Sequence, residues 1–241
     1  MKSKFDRVIG YADFDDVNNQ KLKQKVLVLK NIISDKSKNN EINKMLVAGC
    51  GDGTEAKLMK NIFDCKITGV DISLEYDDLS DDSCVLLKQD LGNLSFPNDY
   101  YDFIYSYHVL EHVPDPKIVL RELHRVLKPG GNLFIGFPNK NRLIGYIGAH
   151  NNVSWQEKLL WNLKDYRDRM AGKFENKYGA HAGFTQKEFL KIGNEVYKEI
   201  IPVRNDYMRL KYSGHKRIIN SLIKLKVSDF LFPSNYFLCL K

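Results

Sequence analysis

The five residues Gly49-Cys50-Gly51-Asp52-Gly53 lie between the apolar run Met45-Leu46-Val47-Ala48 and the helical pattern around Lys57-Leu58-Met59. Without a Cβ, glycine lets the backbone turn sharply and come close to a ligand. Asp71 follows 22 residues after Gly49, directly after the second apolar run, Ile67-Thr68-Gly69-Val70. A carboxylate at the end of a second strand suits a ribose diol, whose two hydroxyls both donate to it. The glycines and the acid therefore point to a nucleoside-containing ligand. The alternative is a plain tight turn in which Asp71 caps the next element. The spacing is G-x-G-x-G with Thr54 next, not the G-x-G-x-x-G of dinucleotide loops, which makes a nicotinamide cofactor the weaker reading.

Histidines are the second set of chemical candidates. His108 and His112 follow the run Tyr101–Ser106, while His150 and His181 flank a later insertion. His108 and His112 are four apart and share one face if that stretch is helical. Any of His112, His108 and His181 could serve as a general base. The competing reading of Glu111-His112 is structural, orienting a loop and capping a helix. No further ligands stand at metal-binding spacing from the pair, so no metal is expected.

The elements that must position these groups follow from periodicity. Two helical patterns open the chain, with Leu22, Val26, Leu29 and Ile33 recurring at helical spacing. Five apolar strands follow: Met45–Ala48, Ile67–Val70, Cys84–Leu87, Tyr101–Ser106 and Leu133–Phe137. One helix, capped by Asp115 and stopped by Pro129-Gly130, carries Val119, Leu120, Leu123, Val126 and Leu127 on one face. Thr185 and Glu188 form a capping box ahead of another helix. Apolar strands alternating with helices predict an α/β fold with a parallel sheet covered on both faces. Ligands bind such sheets beyond the carboxyl ends of the strands, where strand order reverses, and each of these candidate motifs falls at such an end.

Several motifs in unbroken order carry a family resemblance. Leu46 to Gly53 and Gly69-Val70-Asp71-Ile72-Ser73 resemble the first two motifs of class I S-adenosylmethionine-dependent methyltransferases. The likeness continues through Gln89–Pro97, Tyr101–Ser106, His108-Val109-Leu110-Glu111-His112-Val113-Pro114-Asp115-Pro116 and Arg121–Gly131. It is most similar to small-molecule enzymes of the ubiquinone-biosynthesis O-methyltransferase type. The resemblance implies a doubly wound Rossmann-like fold with a seven-stranded, mostly parallel sheet, an antiparallel last strand and helices on both faces. It implies S-adenosyl-L-methionine as cofactor. Gly49, Cys50 and Gly51 would lie against the methionine portion, Asp71 would hold the ribose and Ile72 would pack on the adenine. Asp90 would accept from the adenine amine, the Leu91 N–H would serve a ring nitrogen, and Ser106 and Tyr107 would pass near the reactive methyl. Two departures stand out: Val47 replaces the usual acidic residue two before the first glycine, and the crossover from Ser73 to Ser83 is short and acidic.

One domain, 1–241, is expected: an N-terminal helical segment (1–43), a cofactor-binding core (44–139), an inserted helical lid (140–180) and the C-terminal part of the sheet (181–241). Within the lid, Trp155, Leu159, Leu160, Trp161, Leu163 and Tyr166 read as an amphipathic helix that roofs the pocket or packs on the core. Asn235–Leu240 is expected as the antiparallel last strand. The expected activity is methyl transfer to a hydroxyl or amine of a small molecule or glycan precursor. RNA methylation stays open as an alternative, although Ser106-Tyr107-His108-Val109 is not the N-P-P-Y-like motif of base amino-methylases. So does a non-catalytic cofactor-binding relative with a regulatory or scaffold role, for which Val47 is the main argument.

With 43% hydrophobic and 28% charged residues the composition is that of an ordinary globular chain. No run approaches the roughly 20 apolar residues of a bilayer span, and the N-terminus lacks the apolar core of a secretory signal. Four scattered cysteines read as reduced, mostly buried thiols. A cytoplasmic location is expected. The net charge of +7 is uneven, with nine Lys/Arg against four Asp/Glu from Glu195 onward and an acidic cluster between Asp71 and Asp82. A helix over His215–Lys226 could rest its Arg217, Lys224 and Lys226 on an anionic membrane surface, or it could simply face the core. Nucleic acid is not an expected partner, and neither the acceptor nor the oligomeric state is encoded in any readable motif.

Overall fold

The computed structural model describes residues 16–37, 41–79, 81–146, 153–178 and 181–241. His150 lies outside the described residues. Seven strands are seen: β1 Lys44–Ala48, β2 Lys66–Asp71, β3 Cys84–Lys88, β4 Tyr101–Tyr107, β5 Leu127–Pro138, β6 Glu199–Pro202 and β7 Ser234–Leu240. They form one sheet in the order β3-β2-β1-β4-β5-β7-β6. β7 runs antiparallel to β5 and β6, and the pairs from β3 across to β5 are parallel. The helices are α1 Asp16–Lys36, α2 Thr54–Phe63, α3 Pro116–Val126, α4 Trp155–Met170, α5 Gln186–Gly193, α6 Arg204–Lys211, α7 Lys216–Lys224 and α8 Ser228–Leu231.

Strand side chains alternate between faces, and each face has its own core. Met45, Val47, Phe103, Tyr105, Phe134 and Tyr236 pack against α1, α2, α6 and α7 through Val26, Leu29, Met59, Tyr207 and Ile219. Leu46, Ala48, Ile104, Leu133, Ile135 and Phe237 pack against α3 and α5 through Val119, Leu120, Leu123 and Phe189. The local signals act as their chemistry dictates. The Asp115 carboxylate accepts from the Lys117 and Ile118 N–H groups, with Pro116 opening α3. Thr185 and Glu188 close a reciprocal capping box on α5. Cys50, Cys65, Cys84 and Cys239 are all free and buried. Burial pushes the Cys50 thiol up to about 12 and that of Cys65 up to about 11.

The structure corrects one of these readings and decides or details three more. Pro129-Gly130 do not merely stop α3: the chain leaves the helix at Leu127 straight into β5, which pairs Tyr101 with Leu127 and then Phe103 with Asn132. The residues between are taken up as a bulge, with Gly130 at φ +76°. The stretch from His108 to His112 is a turn rather than a helix, closed by the His112 N–H on the Val109 carbonyl at 2.9 Å.

The acidic crossover carries no helix among the described residues. Asp78 bridges to Leu86, Asp77 accepts from the Lys88 N–H, and Asp78 and Asp81 pair with Lys57 and Lys60 of α2. The acidic cluster is thus answered by lysines on the neighbouring helix. Finally, the apolar stripe of α4 does not face the core. Trp155, Leu159, Leu160, Leu163 and Tyr166 are exposed, and Asp165 is its one buried residue among the described positions. On α7, Ile219 is buried while Ile218 and Leu225 are exposed.

Candidate functional site

The glycine loop is fixed by its own backbone. The Gly49 and Cys50 N–H groups both donate to the Val70 carbonyl, at 2.8 and 3.1 Å. Gly49, Gly51 and Gly53 all have φ between +55° and +81°, a region that costs residues with a Cβ roughly 1–2 kcal/mol. A Cβ on Gly49 would stand 2.1 Å from a Val109 methyl, whereas one on Gly51 would meet nothing within 4 Å. Gly49 thus seats the loop against the turn after β4, while Gly51 faces open space.

Asp71 reaches back across this loop. Its Oδ2 accepts from the Gly51 N–H at 2.8 Å, and its Oδ1 accepts from the Ser73 N–H and hydroxyl. An ionised carboxylate has about four lone-pair sites, so three are used locally and room remains for a ligand hydroxyl. Ile72, next in sequence, presents an apolar side chain that is 67% exposed at the strand end. Asp52 is not spare, since both its oxygens hold Thr54 at the start of α2.

Past β3, the Asp90 Oδ1 accepts from the Gly92 N–H. The other Asp90 oxygen and the Leu91 N–H have no partner among the described residues. An open acceptor beside an open donor is the complement of an adenine edge. Ser106 is buried at the end of β4. Tyr107 stacks in a column with Tyr105 and Tyr236 at ring separations of 6.3 and 6.1 Å. The Cys50 side chain packs in the core beneath Gly69, and its thiol donates to the Gly51 carbonyl at 3.8 Å.

The three sequence-predicted histidines converge on a group that sequence reasoning treated only as a loop orienter. The Glu111 side chain is 1% exposed, and His108 Nδ1 and His112 Nε2 lie 3.1 and 4.0 Å from its Oε1. Neither Glu111 oxygen has an aligned hydrogen-bond partner. Leaving a buried acceptor unmet costs about 1–3 kcal/mol. The His112 and His181 rings meet edge to face at 4.9 Å. The His181 pKa is lowered, first by partial desolvation and then by His112 beside it. His108 holds the left-handed conformation at φ +57°, strain that concentrates at functional turns. Its Nε2 lies 3.4 Å from the Ser234 hydroxyl. Among the described residues no group of three His, Cys, Asp or Glu is arranged to hold a metal ion.

The insertion is tied to this cluster. Arg142, 4% exposed, donates to Asp165 of α4 and to the carbonyls of His181, Ala182 and Asn139. The Tyr146 hydroxyl also contacts Asp165. Burial raises the Asp165 pKa, with Arg142 opposing. A single buried ion pair therefore connects α4 to the backbone that carries His181. A separate cavity of about 200 Å³ between α1 and α6, lined by Asn31, Asp35, Lys36 and Arg209, contains none of the residues predicted for the site.

The strand order, the antiparallel β7 and a glycine loop at the point where strand order reverses between β1 and β4 define the class I methyltransferase architecture. Residues 46–135 match the family model described as a methyltransferase domain. It is 33% identical over 103 residues to 27-O-demethylrifamycin SV methyltransferase of Amycolatopsis mediterranei, covering 39% of this chain and 38% of that one. It is 30% identical over 131 residues to ubiquinone biosynthesis O-methyltransferase of Idiomarina loihiensis, covering 48% and 51%. These matches span about half or less of the relatives' length. The structure of phosphoethanolamine N-methyltransferase 2 of Haemonchus contortus, in complex with phosphomonomethylethanolamine and S-adenosylhomocysteine, shares the fold. Its TM-score is 0.54 at 17% identity, covering 90% of this chain and 52% of that one. No helix among the described residues is long and apolar enough to cross a membrane.

Proposed function

We propose that the chain is a methyltransferase that binds S-adenosyl-L-methionine and moves its methyl group to a hydroxyl or amine of a small molecule. The observation that carries the reading is the Asp71–Gly51 hydrogen bond with exposed Ile72 beside it. It makes one surface with an acid for a ribose, an apolar face for a base and a bare glycine backbone. The open Asp90 oxygen and Leu91 N–H extend that surface toward an adenine edge. Methyltransferase relatives of small molecules support the substrate class.

When bound, the cofactor supplies a methyl already activated by the sulfonium charge. The protein's task is then to hold the acceptor in line at near-attack distance and away from bulk water. Ser106 and Tyr107 border the place of reaction at the end of β4, and the histidines around Glu111 face it from the turn beyond. In this reading His181, kept neutral by its surroundings, or His108, drawn toward Glu111, takes the acceptor's proton. The buried Glu111 carboxylate then stabilises the imidazolium that forms.

The test is transfer of labelled methyl from S-adenosyl-L-methionine to a panel of phenols, catechols, hydroquinones and small amines. Label appearing in one class, and falling strongly in Glu111→Gln, is the expected result. No transfer to any acceptor despite cofactor binding would favour the non-catalytic relative.

A further inference from the structure

Lys25 of α1 and Glu55 of the first turn of α2 form a partly buried ion pair. The Lys25 ammonium lies 2.9 Å from both Glu55 oxygens, and each side chain is only 20% exposed. The Tyr105 hydroxyl donates to Glu55 at 2.8 Å, and the ammonium sits 3.5 Å from the centre of the Tyr107 ring. Burial lowers the Lys25 pKa, with Glu55 opposing it. A partly buried pair gives little net stability, and apolar residues of similar size would join two helices as well. Opposite charges kept at such a place invite a functional explanation.

The place is specific. Glu55 begins two residues after Gly53, and Tyr107 closes β4 between Ser106 and His108. The pair thus stands between the glycine loop and the end of β4. Val47, where the resembling family carries an acid, is the register partner of Tyr105, and both side chains belong to the core on the α1–α2 face. Glu55, held by the Tyr105 hydroxyl, brings a carboxylate to the face from which Val47 withholds one.

We infer that Lys25 and Glu55 recognise the amino-acid end of the cofactor, Lys25 pairing with its carboxylate and Glu55 with its ammonium group. The inference rests on the cofactor reading above. A zwitterion is matched by a pair of zero net charge, because the internal Lys–Glu contact is exchanged for two contacts of the same kind and no charge is left unpaired. The acid missing from β1 is supplied instead from α2, and its cationic counterpart comes from α1.

The experiment is calorimetric titration of the full chain with two ligands, S-adenosylhomocysteine and 5′-methylthioadenosine, which lacks the amino-acid end. Lys25→Met, which keeps the apolar stem, and Glu55→Gln, which keeps an acceptor for Tyr105, are compared with the wild type. Each variant is expected to weaken S-adenosylhomocysteine by about tenfold or more, the worth of one lost charged hydrogen bond. Binding of 5′-methylthioadenosine should be unchanged, which also shows that the variants are folded. Equal weakening of both ligands, or no weakening of either, would overturn the inference and leave the cofactor reading standing. Failure of the wild type to bind either ligand would overturn both.

Discussion

The Gly51 N–H donates to the Asp71 carboxylate at 2.8 Å, so the glycine loop and the acid at the end of the next strand are one mechanical unit. The carboxylate organises the loop and keeps lone-pair capacity for a ligand. Both readings offered by the sequence, turn-maker and ribose holder, therefore fall on the same side chain.

The contrast between Gly49 and Gly51 separates folding from binding. Gly51→Ala adds a methyl that meets no protein atom, so its cost to stability is the backbone term of about 1–2 kcal/mol. The methyl projects into the space proposed for the cofactor, and S-adenosylhomocysteine affinity should fall by more than that stability loss explains. Gly49→Ala drives a methyl into Val109 and should lower the unfolding midpoint further. Denaturant titration and calorimetry on the two variants check both statements.

Arg142 and Asp165 offer a test of how the insertion is held. Removing one partner of a buried pair strands the other, and costs of about 3–5 kcal/mol are usual. Arg142→Ala should show such a loss in urea unfolding. The double variant Arg142→Met with Asp165→Leu should recover much of it. Recovery of stability without recovery of methyl transfer would show that the clamp also places His181.

The histidine cluster sets a pH dependence whose sign follows from His181. Its folded pKa lies below the ordinary value of about 6.5, so below that pH the unfolded chain binds more protons. Stability from this group is fully present above the unfolded value and is lost as pH falls through the folded one. Unfolding of wild type and His181→Gln compared between pH 8 and pH 5 should show the wild type losing more on acidification.

Gly183 has φ +71°, and a Cβ there would stand 1.8 Å from the Pro138 carbonyl oxygen. Because the obstacle is backbone, Gly183→Ala should disturb the return from the insertion to β5. Loss of the Phe184 N–H bond to Pro138, 3.1 Å in the native chain, would appear as faster amide exchange at Phe184.

The parallel half of the sheet is legible in sequence because β1 to β4 are short apolar runs, β1 followed by Gly49 and β2 ended by Asp71, and local caps such as Asp115 and Thr185 act over three residues. What escapes is set by tertiary contact. Lys25 and Glu55 are 30 residues apart with only ordinary helix residues around them, so nothing local marks them as partners. Glu111 stands in a motif, yet its burial depends on how the turn after β4 folds under His108. Leu127 enters β5 early because Tyr101 offers a pairing partner, overriding the Pro-Gly stop. The stripe on α4 has the period of a core-facing helix, but the one buried group is Asp165, held by Arg142 from the preceding loop. A period says which residues share a face and not what that face meets.

The central claim is cofactor binding at the Asp71 surface, and calorimetric titration of S-adenosylhomocysteine into wild type and Asp71→Asn tests it most directly. The account predicts saturable one-to-one binding to the wild type and an affinity about tenfold to a hundredfold lower in the variant, equivalent to about 1.5–3 kcal/mol, with the fold retained. No heat of binding to the wild type, or equal affinity in the two proteins, would contradict it.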